Sequence, residues 1–158
     1  MTVLAIDPGC EKSAWVLYDG ERPFDHQIEE NNALLSRLRL NDLPFDAVVT
    51  EQVTSYGMAV GAEVFETVFW TGRFHEAAQV HWRKAARVPR RDVKLHLCQS
   101  ARAKDANVRQ ALLDRFGGKD KACGKKTAPG PLYGLKADEW QALALAVTYY
   151  DLHGATIK

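Results

Sequence analysis

Val3-Leu4-Ala5-Ile6-Asp7-Pro8-Gly9 opens the chain, and Asp46-Ala47-Val48-Val49-Thr50-Glu51 repeats its plan: an apolar run that ends on an acid. Four apolar residues stopped by Asp-Pro-Gly predict a buried strand that breaks into a turn. The second run is apolar on both faces, as a central strand of a parallel sheet should be. Two such strands lie parallel only if the chain crosses over between them, so this pair of stretches already points to an α/β sheet covered on both sides.

The remaining elements fit around that pair. Ser13–Tyr18 and about Pro23–Ile28 read as strands joined by an Asp19-Gly20 turn, giving an antiparallel meander with the first strand. Asn31 or Asn32 is expected to cap a helix through Leu34, Leu35 and Leu38, which Leu43-Pro44 breaks. A long helix is expected from about Ala59 to Val80. Its stripes, Val60, Val64, Val68 and Phe65, Phe69, would pack on the sheet with surface left over for another subunit. Ala85–Val88 reads as a fifth strand. Helices follow from Asp92 or its neighbour to Cys98 and from Lys104 to Phe116, the latter ended by Gly117-Gly118. Lys119–Gly134 reads as a long loop, and a last helix runs from Ala137 to Leu152. The expectation is one domain over residues 1–158, built on a mixed five-stranded sheet with helices on both faces.

Composition sets the outer bounds. The 158 residues are 46% apolar and 26% charged, an ordinary globular balance that excludes disordered and collagen-like classes. No apolar run approaches the ~20 residues of a membrane span, and the opening run is too short and lacks a basic leader for a signal peptide, so a cytoplasmic protein without a membrane partner is expected. The three cysteines and five histidines show no metal-ligand or disulfide spacing and read as structural or surface residues. The net charge of +1 conceals an asymmetry. Arg83–Lys126 holds 14 basic and 4 acidic residues, net +10, while the rest of the chain carries −9. Such a segment suits either a polyanionic partner or a solvated surface.

Three acids sit where a sheet can gather them: Asp7 and Glu51 at the ends of two strands, and Asp138 at the start of the last helix. Each has a plainer explanation, as a turn residue, a strand-end surface acid or a helix cap. Together they repel one another and would be stable in their charged forms only around a cation. An all-oxygen set favours Mg²⁺ or Mn²⁺, and two such ions can serve the attacking and leaving oxygens of a phosphodiester.

Leu4-Ala5-Ile6-Asp7-Pro8-Gly9, Val48-Val49-Thr50-Glu51-Gln52-Val53 and Lys136-Ala137-Asp138-Glu139-Trp140-Gln141-Ala142-Leu143 resemble, in order, the opening strand, the second acidic strand and the final helix of the RuvC family of Holliday junction resolvases. Ser100-Ala101-Arg102-Ala103-Lys104-Asp105 is similar to that family's basic stretch before a helix. The Phe65–Glu76 helix and the Ala128–Gly134 loop look most like its bacteriophage and prophage branch. The resemblance implies a ribonuclease-H-like fold and a metal-dependent endonuclease that cuts four-way DNA junctions, working in the cytoplasm (of the host, if phage-encoded), without a nucleotide cofactor.

It further implies that Asp7, Glu51 and Asp138 are catalytic and hold two Mg²⁺ or Mn²⁺ ions. DNA contacts would fall to Arg102 and Lys104 near the scissile bond, and to Arg90, Arg91, Lys94, Arg109, Lys125 and Lys126 along the arms. Tyr56 would either wedge into the opened crossover or belong to the core. The family's second acid, three residues along the last helix, is Gln141 here. That leaves three carboxylates alone, Glu139 as a substitute metal ligand, or a decayed site in a branched-DNA-binding module. Cleavage of RNA–DNA hybrids would use the same ions and fold. Paired nicks on a symmetric junction call for a C2 homodimer, for which the long helix with Gly57, Gly61, Val64 and Phe65 would be the interface unless that face is core.

Overall fold

In the computed structural model, which describes residues 1–81 and 83–154, β1 (Val3–Asp7) sits in the middle of a five-stranded sheet. It is followed by β2 (Lys12–Tyr18), β3 (Pro23–Glu30), α1 (Asn31–Leu40), β4 (Ala47–Gln52), α2 (Ala62–Gln79), β5 (Lys84–Pro89), α3 (Arg90–Cys98) and α4 (Asp105–Arg115). A four-residue α5 (Lys119–Ala122), the hairpin of β6 (Gly124–Lys125) and β7 (Ala128–Pro129), and α6 (Glu139–His153) complete the order. The sheet order is β3-β2-β1-β4-β5, with the meander antiparallel and β1, β4 and β5 parallel. This is the expected mixed sheet.

Alternation along the strands builds two cores. Val3, Ala5, Val16, Tyr18, Ala47 and Val49 point to one face, where α6, α3 and α4 pack. Leu4, Ile6, Trp15, Leu17 and Val48 point to the other, against Leu34, Leu35 and Leu38 of α1 and Phe74, Ala77 and Ala78 of α2. Helices therefore cover both faces. Nearly all of α6 is buried from Trp140 to Tyr149, because it lies between the sheet and the α3–α4 pair. Among the described residues, no helix is long and apolar enough to cross a membrane.

Four expectations change. Asn31 does not cap α1: Glu30 holds that position, and Asn31 is buried, its Nδ2 donating to Gly9 O at 2.9 Å and its Oδ1 accepting from Ser13 Oγ at 2.6 Å. The fold spends this side chain on the turn after β1, where local propensity would spend it on a helix. Helix α2 begins at Ala62, not Ala59, and its apolar stripes are not core. Phe65, Val68 and Phe69 are exposed, while Thr71, Phe74, Ala77 and Ala78 are buried, because only the C-terminal half of the helix lies over the sheet. Helix α3 begins at Arg90 directly after Pro89, two residues ahead of Asp92. Residues 119–134 are not one irregular loop, because Lys121 and Ala122 N–H donate to the Gly118 carbonyl and the β6–β7 pairing orders the rest.

The C-terminal end of α6 is tied down by charge. Asp151 accepts from Arg115 through both oxygens at 2.7 Å and lies 2.8 Å from His96 Nε2, joining α6 to α4 and α3. Burial pushes the Asp151 carboxyl up, but the hydrogen bonds from Arg115 and His96 outweigh it and hold it below the ordinary range. A depressed carboxyl stabilises the fold above its unfolded pKa, and that contribution is lost as the pH falls through the folded value. Asp151→Asn is expected to lower unfolding stability at neutral pH by about 1 kcal/mol, the scale of a partly solvated ion pair. In urea titrations the gap to wild type should close as the solution is acidified below the carboxylate range.

Candidate functional site

The parallel register Ile6↔Thr50 and Glu51↔Val88 sets the geometry of the site. It brings the carboxyl ends of β1, β4 and β5 side by side, so Asp7, Glu51 and Arg90 emerge at one edge of the sheet. The carboxyl edge of the strands is where open α/β sheets hold ligands. The turn after Asp7 is fixed from below. Gly9 N–H donates to Ser13 Oγ at 3.1 Å, and a Cβ on Gly9 would lie 2.2 Å from Lys12 O, so no larger residue fits there.

Asp138 comes from the other direction, at the N-cap position of α6. The preceding Ala137 adopts a left-handed φ of 44°, an unfavourable conformation for a residue with a Cβ. Asp138 makes no side-chain capping bond, so its carboxylate is exposed and not committed to the helix end. The capping explanation of this residue therefore fails.

Electrostatics tie the three acids together. Burial pushes the Asp7 carboxyl up, repulsion from Glu51 and then Asp138 adds to it, and Arg90 offsets only part, leaving it at about 8. Burial likewise raises Glu51, with Arg90 pulling down and Asp105 pushing up. Asp105 is the functional residue that the sequence reading misses. It begins α4, and its Oδ1 accepts from Arg90 Nη2 at 2.9 Å, while Arg90 Nη1 lies 3.5 Å from Glu51 Oε2. One guanidinium is thus shared between two acids, with Lys94 Nζ 3.9 Å from Asp105. Nothing local marks Asp105; it is one of the few acids in a basic segment, and only the return of α4 toward the sheet edge brings it there.

Glu139 is not brought to this group. It is 1% exposed, its Oε2 accepts from Lys136 N–H at 2.8 Å, and its Oε1 lies 3.1 Å from His26 Nδ1. Adjacent helix positions point about 100° apart, so Asp138 and Glu139 cannot both face one site. The expectation of Glu139 as a substitute ligand gives way to a structural role under α6.

The basic residues divide. Arg90, Arg91, Lys94, Tyr56 and Ala101 line an open cavity of about 340 Å³ next to the acids. Tyr56 is 64% exposed, which removes it from the core. Arg102, Lys104, Lys125 and Lys126 are exposed on surrounding segments. Arg109 is exposed at its edge but lies 4.4 Å over the Trp140 ring, a cation–π contact that gives it a packing role.

The donor set of Asp7, Glu51 and Asp138 is all oxygen, and its mutual repulsion is the kind that a hard divalent cation relieves. Among the described residues, no three Asp, Glu, His or Cys side chains lie close enough to form a ready-made metal cluster. Glu51 is instead paired with Arg90 and Asp7 has a raised pKa, while Asp138 is exposed to solvent. Donor chemistry therefore fits Mg²⁺ or Mn²⁺, with Arg90 in the role of present counter-ion.

No family model matches the chain, and no curated protein matches it. Among solved structures, RuvC of Thermus thermophilus superposes with a TM-score of 0.67 at 19% identity, covering 98% of this chain and 97% of that one. T. thermophilus RuvC in complex with a Holliday junction substrate gives 0.69 at 18% identity, covering 99% of this chain and 97% of that one. At these identities the likeness is one of fold, and it gives the chain a RuvC-like, ribonuclease-H-like architecture over nearly its whole length.

The raised Asp7 carboxyl has a sign that can be tested. Between its unfolded value of 3.8 and about 8, the folded state holds a proton that the unfolded state has released, so stability falls as pH rises through that window. Asp7→Asn removes the penalty. In chelator, its urea midpoint should exceed that of wild type above pH 8 and converge with it below pH 4, with a gap of roughly a few kcal/mol between the extremes.

Proposed function

We propose that the chain is a structure-selective endonuclease that resolves four-way DNA junctions by paired, divalent-metal-dependent hydrolysis of phosphodiesters. The carrying observation is that Asp7 and Glu51 meet at one sheet edge, with Asp138 near enough to repel Asp7, beside a cavity lined by Tyr56, Arg90, Arg91 and Lys94. Carboxylates that need cations and cations that suit phosphates belong together on a nucleic-acid backbone. The fold is shared with a protein solved on a Holliday junction substrate, which supports branched DNA as the partner.

In this reading Asp7, Glu51 and Asp138 hold Mg²⁺ or Mn²⁺, two ions per site. Bound there, the ions supply Lewis-acid stabilisation of the phosphate and activation of water at neutral pH. The side chains do the rest. Asp7 would lose its proton beside a bound cation, whose charge would offset the burial and the repulsion that raise its carboxyl. Arg91 and Lys94 bind phosphates in the cavity, and exposed Arg102, Lys104, Lys125 and Lys126 bind the arms. The exposed Tyr56 ring offers a stacking surface to an unpaired base at the crossover.

Two nicks on strands related by a two-fold axis call for two sites related in the same way. The exposed face of α2, with Phe65, Val68 and Phe69, is apolar enough to form that homodimer. The whole of residues 1–158 would act as one nuclease domain in the cytoplasm, that of the host if the chain is phage-encoded.

A labelled four-way junction should be nicked in symmetry-related strands with Mg²⁺ or Mn²⁺, faster than duplex or RNA–DNA hybrid. Asp7→Asn, Glu51→Gln and Asp138→Asn should each slow the cut by about 100-fold or more, since even the outer partners of metal ligands cost 10–100-fold. Binding without cleavage at any ion concentration would instead support a non-catalytic junction-binding module, and preference for the hybrid a ribonuclease.

Phe65→Glu should convert a dimer in light scattering to a monomer and uncouple the paired nicks. A wild-type monomer under cleavage conditions would remove the dimer from the scheme.

A further inference from the structure

Arg90 has a double attachment. One terminal nitrogen faces Glu51 at 3.5 Å, the other Asp105 at 2.9 Å, and the same side chain lines the 340 Å³ cavity with Arg91, Lys94 and Tyr56. It is about one-third exposed and begins α3 directly after Pro89. Glu51, by contrast, is mostly buried, and among the described residues Arg90 is the cation that pairs with it, with Lys94 acting on it from farther away. The weaker, longer contact is thus to the acid at the sheet edge, and the shorter one is to the acid on the rim.

We propose that Arg90 is an exchangeable counter-ion: it holds Glu51 while the carboxylates lack a metal, yields it to a divalent cation, and then presents its guanidinium to a phosphate in the adjoining cavity while Asp105 keeps it in reach. This rests on the nuclease reading above. Arg90 is then a positioning residue that competes with metal and cooperates with DNA. A purely structural ion pair would do neither. Lys94, 3.9 Å from Asp105, is placed to take over part of the Asp105 charge when Arg90 turns.

The test measures Mn²⁺ alone binding to the full chain by calorimetry, without DNA, and junction binding in Ca²⁺ by fluorescence anisotropy. Arg90→Gln should bind Mn²⁺ about fivefold more tightly, the scale of one partly exposed ion pair removed from Glu51. It should bind the junction more weakly, with the salt slope reduced by about one. Arg90→Lys should restore both toward wild type, since it keeps the charge and shows that the fold tolerates the change. Mn²⁺ affinity unchanged or lower in Arg90→Gln, with binding still lost in Asp7→Asn, overturns the exchange alone. Mn²⁺ binding that Asp7→Asn leaves intact overturns the carboxylate metal site, and the exchange with it.

Discussion

The parallel pairing of β1 with β4 is the constraint on which the rest depends. It is held by two apolar strands with no exposed residue between Val3 and Ile6 or between Ala47 and Thr50. In such a strand a one-residue slip would turn every side chain to the other core, so the register is strongly fixed. The consequence at the carboxyl edge is that Asp7 and Glu51 are forced together whether or not their charges favour it. The sheet stabilises itself by burying Leu4, Ile6, Val48 and Val49, and the cost appears at its end as a carboxyl pushed up to about 8. Hydrophobic burial and like-charge repulsion thus sit on consecutive residues of one strand. The first is spread over many side chains and the second is confined to a few, which is how the fold tolerates the strain.

The charges elsewhere are arranged to answer that strain locally. Of the basic segment between Arg83 and Lys126, Arg90 is drawn into the acids, Arg109 covers Trp140 and Arg115 clasps Asp151. These three are engaged by side chains of the chain itself. What is left outward, including Arg91, Arg102, Lys104, Lys125 and Lys126, is a smaller positive surface than the segment's net charge of +10 suggests. Around the cavity lined by Arg91 and Lys94, the nearby acids differ in exposure: Glu51 is mostly buried, whereas Asp105 and Asp138 are exposed.

The strands and the pairing of Asp7 with Glu51 were legible because period-two burial and unbroken apolar runs are local properties. The two cores were legible for the same reason. The features that escaped are those in which a side chain's partner is distant in sequence. Asn31 looks like a helix cap in isolation, yet Gly9 and Ser13 claim it across 22 and 18 residues. The α2 stripe has the periodicity of a buried face, but periodicity records a shared side and not what covers it; the sheet ends beneath Phe74 and leaves Phe65 and Phe69 outside. Asp105 has no signature at all, since its role exists only where α4 meets the end of β5.

The last helix shows why the acid set takes its present form. Glu139 lies one position beyond Asp138, but it is buried against His26 of β3 and bonded to the Lys136 N–H, so turning it toward Asp7 would leave that polar pocket unpaired. Gln141 follows three residues after Asp138, on the same side of the helix, and carries no charge. A second acid at that position would add a further negative charge close to Asp138, beside an Asp7 already raised by burial and by two acidic neighbours. Here the additional carboxylate arrives instead on α4, as Asp105, and it comes with its own guanidinium. Asp105 meets the guanidinium that also faces Glu51, so its charge is partly offset where it arrives, which an acid at position 141 would lack.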